Sequence, residues 1–100
     1  MSYRLELRPQ VAADIASAVA WYEARQTGLG RRFARAVRDR IEELLPQPLL
    51  PRVRDRARGI RWVFPARFPY RIIYRVSGET ILVLAVTHSA RHDREWQNRL

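Results

Sequence analysis

One imidazole and a set of guanidinium groups are the side chains here that could act on a phosphate-bearing substrate. His88 lies near the C-terminal end, with Arg61, Arg67, Arg71 and Arg75 before it and Arg91 three residues after it. An unperturbed histidine titrates near pH ~6.5 and can take or give a proton at neutrality. Arginine presents a planar fork that holds phosphate or carboxylate oxygens in pairs. It also stays protonated and so makes a poor general base, which leaves His88 without an obvious acid–base partner. A structural role for His88 competes with a chemical one, because it ends an apolar segment on the side of Leu82, Leu84 and Val86. His92 would share a helical face with His88, but two histidines without a third ligand are a weak zinc signal. No Gly-rich phosphate loop, nucleophile elbow or His/carboxylate metal spacing is present, and there is no cysteine. No cofactor and no metal is expected.

The charge balance narrows the possible partners. The 100 residues carry 19 basic and 10 acidic side chains, a formal net charge of +9, and every basic residue is arginine. Such a surplus attracts polyanions, and nucleic acid or an acidic protein ranks ahead of a membrane, since no segment is basic on one face and strongly apolar on the other. The longest apolar runs, such as Ile81 to Val86, are far too short to cross a bilayer. The N-terminus lacks the basic-then-apolar layout of a secretion signal, so a cytoplasmic location is expected.

The elements that must position these groups follow from periodicity. Tyr3 to Arg8 alternates with the period of a strand, and Pro9 ends it. Val11, Ile15, Ala18, Val19 and Tyr22 form one stripe of a first helix, from Pro9 to about Gln26. Phe33, Val37, Ile41 and Leu44 form the stripe of a second, stopped by Pro46 and Pro48. The break at residues 27–30 is short enough to make them an antiparallel hairpin. Gln47 to Arg58 reads as loop or sheet edge, with Arg52, Arg54, Arg56 and Arg58 on one side if extended. Three strands follow, over Ile60–Phe64, Arg67–Val76 and Thr80–Thr87, the last two joined at Ser77-Gly78-Glu79. A short helix anchored by Trp96 would close the chain. The order predicts one α+β domain spanning residues 1–100: an N-terminal strand, a helical hairpin and a three-stranded antiparallel meander, together a four-stranded sheet, then the short C-terminal helix. One sheet face covers the hairpin. The other stays partly open and, if register allows, carries Arg61, Arg71 and Arg75 together as a shallow cationic surface.

The same order and several phrases resemble the RelE/ParE superfamily of type II toxin–antitoxin toxins, which includes plasmid-stabilisation proteins. The phrases are Ala13-Asp14-Ile15 and Trp21-Tyr22-Glu23 in the first helix and Gly30-Arg31-Arg32-Phe33 opening the second. Phe68-Pro69-Tyr70-Arg71-Ile72-Ile73-Tyr74-Arg75-Val76 and Val83 to Arg91, followed by Trp96, complete the set. The resemblance implies a growth-inhibiting toxin held inactive in a hetero-oligomer with its antitoxin, whose contacts fall on the helical hairpin and across the sheet. It implies one of two targets. ParE-like members poison DNA gyrase; RelE-like members cleave mRNA in the ribosome. By the second route His88, Arg71, Arg61 and Arg91 would be the catalytic set, with Arg61 and Arg71 holding phosphate charge and His88 moving the proton. By either route Arg61, Arg67, Arg71 and Arg75 would touch the target. Two departures favour the gyrase branch slightly: the chain lacks the lysine cluster and C-terminal aromatic of the ribosome-dependent nucleases, and Asp93 stands where relatives often have proline. A degenerate, non-toxic binding or autoregulatory module is the remaining alternative. Trp21, Tyr22 and Trp62 read as packing rather than base-stacking groups.

Overall fold

In a computed structural model, described here for Ser2 to Leu100, the predicted order of elements is present with one strand added. β1 (Arg4–Leu7) is followed by α1 (Gln10–Arg25), α2 (Leu29–Leu44), β2 (Val53–Asp55), β3 (Ile60–Val63), β4 (Tyr70–Ser77), β5 (Thr80–His88) and α3 (Arg94–Gln97). The sheet has five strands in the order β1-β5-β4-β3-β2, not the four expected, because part of the Gln47–Arg58 stretch pairs with β3 as an edge strand. β1 runs parallel to β5, and every other pairing is antiparallel. Its position beside β5 makes β5 an interior strand, as that strand's nearly unbroken apolar sequence suggests.

The helical hairpin closes on three residues, and its turn is built from Glu23 and two glycines. Gly28 adopts φ +88°, which an L side chain rarely takes. The Glu23 carboxylate accepts the backbone N–H groups of Gly28 at 2.9 Å and Gly30 at 3.0 Å, satisfying orphan donors at the start of α2. These bonds, together with nearby Arg31, hold that carboxyl below its ordinary range. Gly30 lets α2 approach α1 closely: a Cβ there would meet the Val19 carbonyl at 2.6 Å. The apolar stripes then bury Val11, Ala18, Phe33, Val37 and Leu44 against Val63, Ile72, Tyr74, Ile81, Val83 and Val86 of the sheet.

A second, smaller core lies on the other sheet face, where Trp96 of α3 packs on Ile60, Ile73, Leu84 and Ala85. A four-residue helix has no stability of its own. Burial of an indole, worth several kcal/mol at about 25 cal/mol per Å² over roughly 150–250 Å², holds the tail down. Between the two cores β5 carries a bulge. Ile73 pairs with Ala85 but Tyr74 pairs with Val83, so Leu84 is an extra residue. The bulge reverses the alternation of everything after it. Val86 therefore joins the helix-side core, and His88 turns to the helix side with it, away from the side of Leu82 and Leu84 where unbroken alternation would put it.

Candidate target-binding face

Register decides which arginines share a surface. Residues directly opposite across an antiparallel pair point the same way. Arg61 lies opposite Tyr74, whereas Trp62 lies opposite Ile73 and Ile60 opposite Arg75. Arg61 therefore projects to the helix side, and the expected grouping with Arg71 and Arg75 does not form. Its guanidinium donates to the Pro51 carbonyl at 2.9 Å, while the Tyr74 hydroxyl donates to the Pro48 carbonyl at 2.7 Å. Together they stitch down the segment leaving α2. Burial pushes the Tyr74 phenol up to about 12, so it stays a donor.

The face opposite the helices is only partly open, because Trp96 of α3 covers Ile60, Ile73, Leu84 and Ala85, and it carries a different cationic set. Arg54 of β2 lies over the Trp62 ring at 5.1 Å, and Arg71 lies over the same ring at 4.9 Å. Arg75 completes the row, opposite Ile60 on one neighbour and Leu82 on the other. Arg54 was not singled out from the sequence; the signal that could have found it was its place in the alternating Arg52–Arg58 series. The rest of that series is on the exposed loop, with Arg58 paired to Asp55 at 2.9 Å.

Arg71 is the buried member, only 6% exposed. It donates to Asp93 at 2.8 Å and to the Arg91 carbonyl at 3.2 Å, so it clamps the tail as well as lining the face. Beside it the Arg71 Nε, Thr87 Oγ1 and Trp96 Nε1 atoms are buried without a hydrogen-bond partner among the described residues. Arg91 itself is exposed and paired with Glu95 at 3.0 Å.

His88 opens the other way. Its ring packs edge-on against Tyr70 with centroids 5.3 Å apart, and its Nδ1 accepts the Ala90 N–H at 3.0 Å. It lines a cavity of about 470 Å³ between α1, the end of β5 and the tail, with Asp14, Trp21, Tyr70, Arg91 and Glu95 among its walls. His88 and Arg91 thus meet at one cavity, while Arg71 is on the opposite face and Arg61 at the far edge. His92 is exposed and accepts the Arg94 N–H. No group of three metal-ligating side chains occurs among the described residues. Tyr22 packs against Phe33 and Phe68, as its place in the helical stripe predicts. Trp21 is half exposed under the Arg25 guanidinium.

The sequence profile of the ParE toxin of type II toxin–antitoxin systems, parDE, matches residues 5–93. The chain belongs to the ParE toxin family. Among solved structures, a chain of the chromosomal ParDE toxin–antitoxin system from P. aeruginosa is similar at 21% identity and a TM-score of 0.63. That match covers 86% of this chain and 95% of the other, and it shows a shared fold. No curated protein gives a match. The protein is accordingly the toxin component of a type II toxin–antitoxin system, and its partner is an antitoxin. No helix among the described residues is long and apolar enough to cross a membrane.

In this ParE-family toxin the tail clamp should respond to acid. The Arg71 guanidinium beside Asp93 holds that carboxyl below the usual carboxylate range, against the opposing pull of partial burial. A lowered folded-state pKa contributes stability that is complete above the unfolded value and is lost as pH falls through the folded one. The clamp should therefore loosen only below about pH 4. Following the Trp96 indole N–H by NMR between neutral and acid pH should show a transition in that window. Asp93→Asn should abolish it; an unchanged transition would assign the acid response elsewhere.

Proposed function

We propose that this toxin arrests growth by binding DNA gyrase through the open sheet face, acting in the cytoplasm without cutting RNA. The observation that carries this reading is the separation of His88 from Arg71. RNA cleavage needs a proton-transfer group and a phosphate-stabilising cation around one scissile bond. Here His88 faces the helices, where, among the described residues, the one cation lining its cavity, Arg91, is already paired with Glu95 at 3.0 Å, and the buried Arg71 guanidinium faces the tail on the other side of the sheet. On the part of that face that Trp96 leaves uncovered, Arg54, stacked on Trp62, and Arg75 make a surface suited to docking on an acidic macromolecule, while Arg71 is buried and tied to Asp93. The antitoxin neutralises it in a hetero-oligomer. Membership in the ParE family supports the same branch.

The test is expression without the antitoxin. Growth should stop with transcripts intact and with a DNA-damage response. Purified toxin should inhibit supercoiling by gyrase or trap its cleaved-DNA complex. Transcripts cut on ribosomes, or normal growth at full expression, would overturn the proposal.

A further inference from the structure

β1 is an outer strand, and among the described residues no strand pairs with its far side. The Arg4 and Arg8 N–H groups donate inward, to the Glu79 and Val83 carbonyls at 2.7 and 2.9 Å. Backbone direction alternates along a strand, so the N–H and C=O groups of Tyr3, Leu5 and Leu7 point away from the sheet. Leu5 and Leu7 lie beside Ile81 and Val83, yet they are 38% and 50% exposed where those neighbours are fully buried. The other edge of the sheet is protected differently, because β2 has only three residues and an irregular register with β3.

We infer that the free toxin pairs two copies of β1 antiparallel, about a twofold axis at Leu5, joining their sheets edge to edge. Leu5 then faces Leu5 of the other copy, and Tyr3 faces Leu7. These are the residues whose backbone groups are free, so each facing pair exchanges two hydrogen bonds. Between them, on the other sheet face, Arg4 of each copy faces Glu6 of its mate. Neither side chain has an ion pair of its own among the described residues, and Arg4 donates only to the Thr80 hydroxyl, at 3.1 Å. Opposite charges directly across a strand pair stabilise it, and here they do so twice. Other registers lose this match. A one-residue slip sets Leu5 against Glu6. An axis at Leu7 brings Pro9, which has no N–H, into the ladder opposite Leu5. An axis at Tyr3 sets Arg4 against Ser2 and away from Glu6.

A twofold axis through this pair stands perpendicular to the sheet and makes the contact isologous. Both helical hairpins then lie on one side of the joined sheet, and the Arg54 and Arg75 side chains of both copies lie on the other. β2, β3 and β4 sit away from the junction, so the contact leaves those arginines free and presents two such sets in one direction. A target that engaged both would be held more firmly than by either alone. One short strand from each copy buries less than the roughly 1,200 Å² of a standard interface, so the dimer is weak and fills as the toxin is concentrated.

Sedimentation of the free full-length toxin at rising concentration should show monomer passing to dimer and to nothing larger. Leu5→Pro removes the N–H at the axis but no bond within the sheet, and proline is tolerated where an edge N–H faces outward. It should weaken dimerisation about tenfold or more and stay folded by circular dichroism. Arg4→Glu and Glu6→Arg should each be monomeric alone, since like charges then face each other twice. An equimolar mixture of the two should dimerise at least as tightly as the parent, because every facing pair is again opposite in charge. Arg4→Glu lowers the net charge, so its dissociation could not come from overall repulsion. The chain holds no cysteine, so Leu5→Cys should oxidise to a disulfide-linked dimer. Leu7→Cys should not, as its counterpart lies roughly 13 Å away along the strand at about 3.3 Å per residue. A parent that stays monomeric up to its solubility limit would overturn the inference, as would a monomeric mixture or equal crosslinking at both cysteines. A monomeric parent whose antitoxin binding is weakened by Leu5→Pro would give the edge to the antitoxin instead. If Leu5→Pro fails to fold, the charge-swapped mixture, which keeps every leucine, still decides. None of these readouts depends on the target.

Discussion

Asp14→Ala is expected to destabilise the fold by about 3 kcal/mol. Asp14 sits on α1 facing the stretch of β5 that β1 does not reach. β1 pairs with β5 only as far as Val83, and the Arg8 N–H makes the last such bond, to the Val83 carbonyl at 2.9 Å. Beyond it the bulge at Leu84 leaves backbone groups without a neighbouring strand. Asp14 accepts the Val86 N–H at 3.0 Å and binds both terminal nitrogens of Arg99, which in turn donates to the Leu84 carbonyl at 3.1 Å. One carboxylate and one guanidinium therefore stand in for the missing strand. Both side chains are about 15% exposed or less. Removing the aspartate strands a largely buried guanidinium and a buried N–H together, and the cost of such orphans exceeds what the pair itself contributes. For a domain of this size the melting temperature should drop by roughly 15 °C. Asp14→Asn, which can still accept the Val86 N–H, should lose less, and Asp14→Ala combined with Arg99→Met should recover part of the loss. A urea midpoint shift equivalent to under about 1 kcal/mol would remove this pair from the account of stability.

That pair marks the boundary of what could be read from the sequence. The helices were legible because Val11, Ala18, Phe33 and Val37 repeat at helical spacing, and Trp96 was legible as the anchor of the tail. Asp14 and Arg99 lie at opposite ends of the chain, and no local pattern connects them. The outward row was only partly legible. Alternation separates Arg61 from Ile60 and Trp62, and separates Arg71 and Arg75 from Tyr70 and Tyr74. It does not say which side of β3 faces the same way as which side of β4. The observed register, Arg61 opposite Tyr74, settles that against Arg61. β2 is legible only as loop or sheet edge, because three residues with one apolar side chain give no period to detect. The side that His88 faces is illegible for a related reason. In β5 almost every residue is apolar, so nothing in the sequence betrays an extra residue at Leu84. A one-residue slip turns each later side chain over.

The same geometry predicts which charges matter for toxicity. Arg54→Glu with Arg75→Glu should abolish growth inhibition, with viable counts returning to those of cells carrying no toxin. Both arginines lie on the open face, in one row with Arg71 and Trp62. Neither makes an ion pair whose loss would disturb the fold. Each reversal exchanges an attractive contact for a repulsive one. Like charges forced together at an interface cost several kcal/mol, enough to lower affinity by two orders of magnitude or more, on the order of 1.4 kcal/mol for each tenfold. Arg71 is a poorer probe because it also clamps Asp93 and the Arg91 carbonyl, so its removal mixes folding with binding. The necessary control is a pair with the same change in net charge placed elsewhere. Arg35→Glu with Arg38→Glu, on the exposed side of α2, serves this purpose. If position is what counts, the α2 pair stays toxic and the sheet pair does not, and purified gyrase binds the first and not the second. Equal loss in both pairs would mean that the target responds to overall charge alone, and the row on the open face would have no special claim.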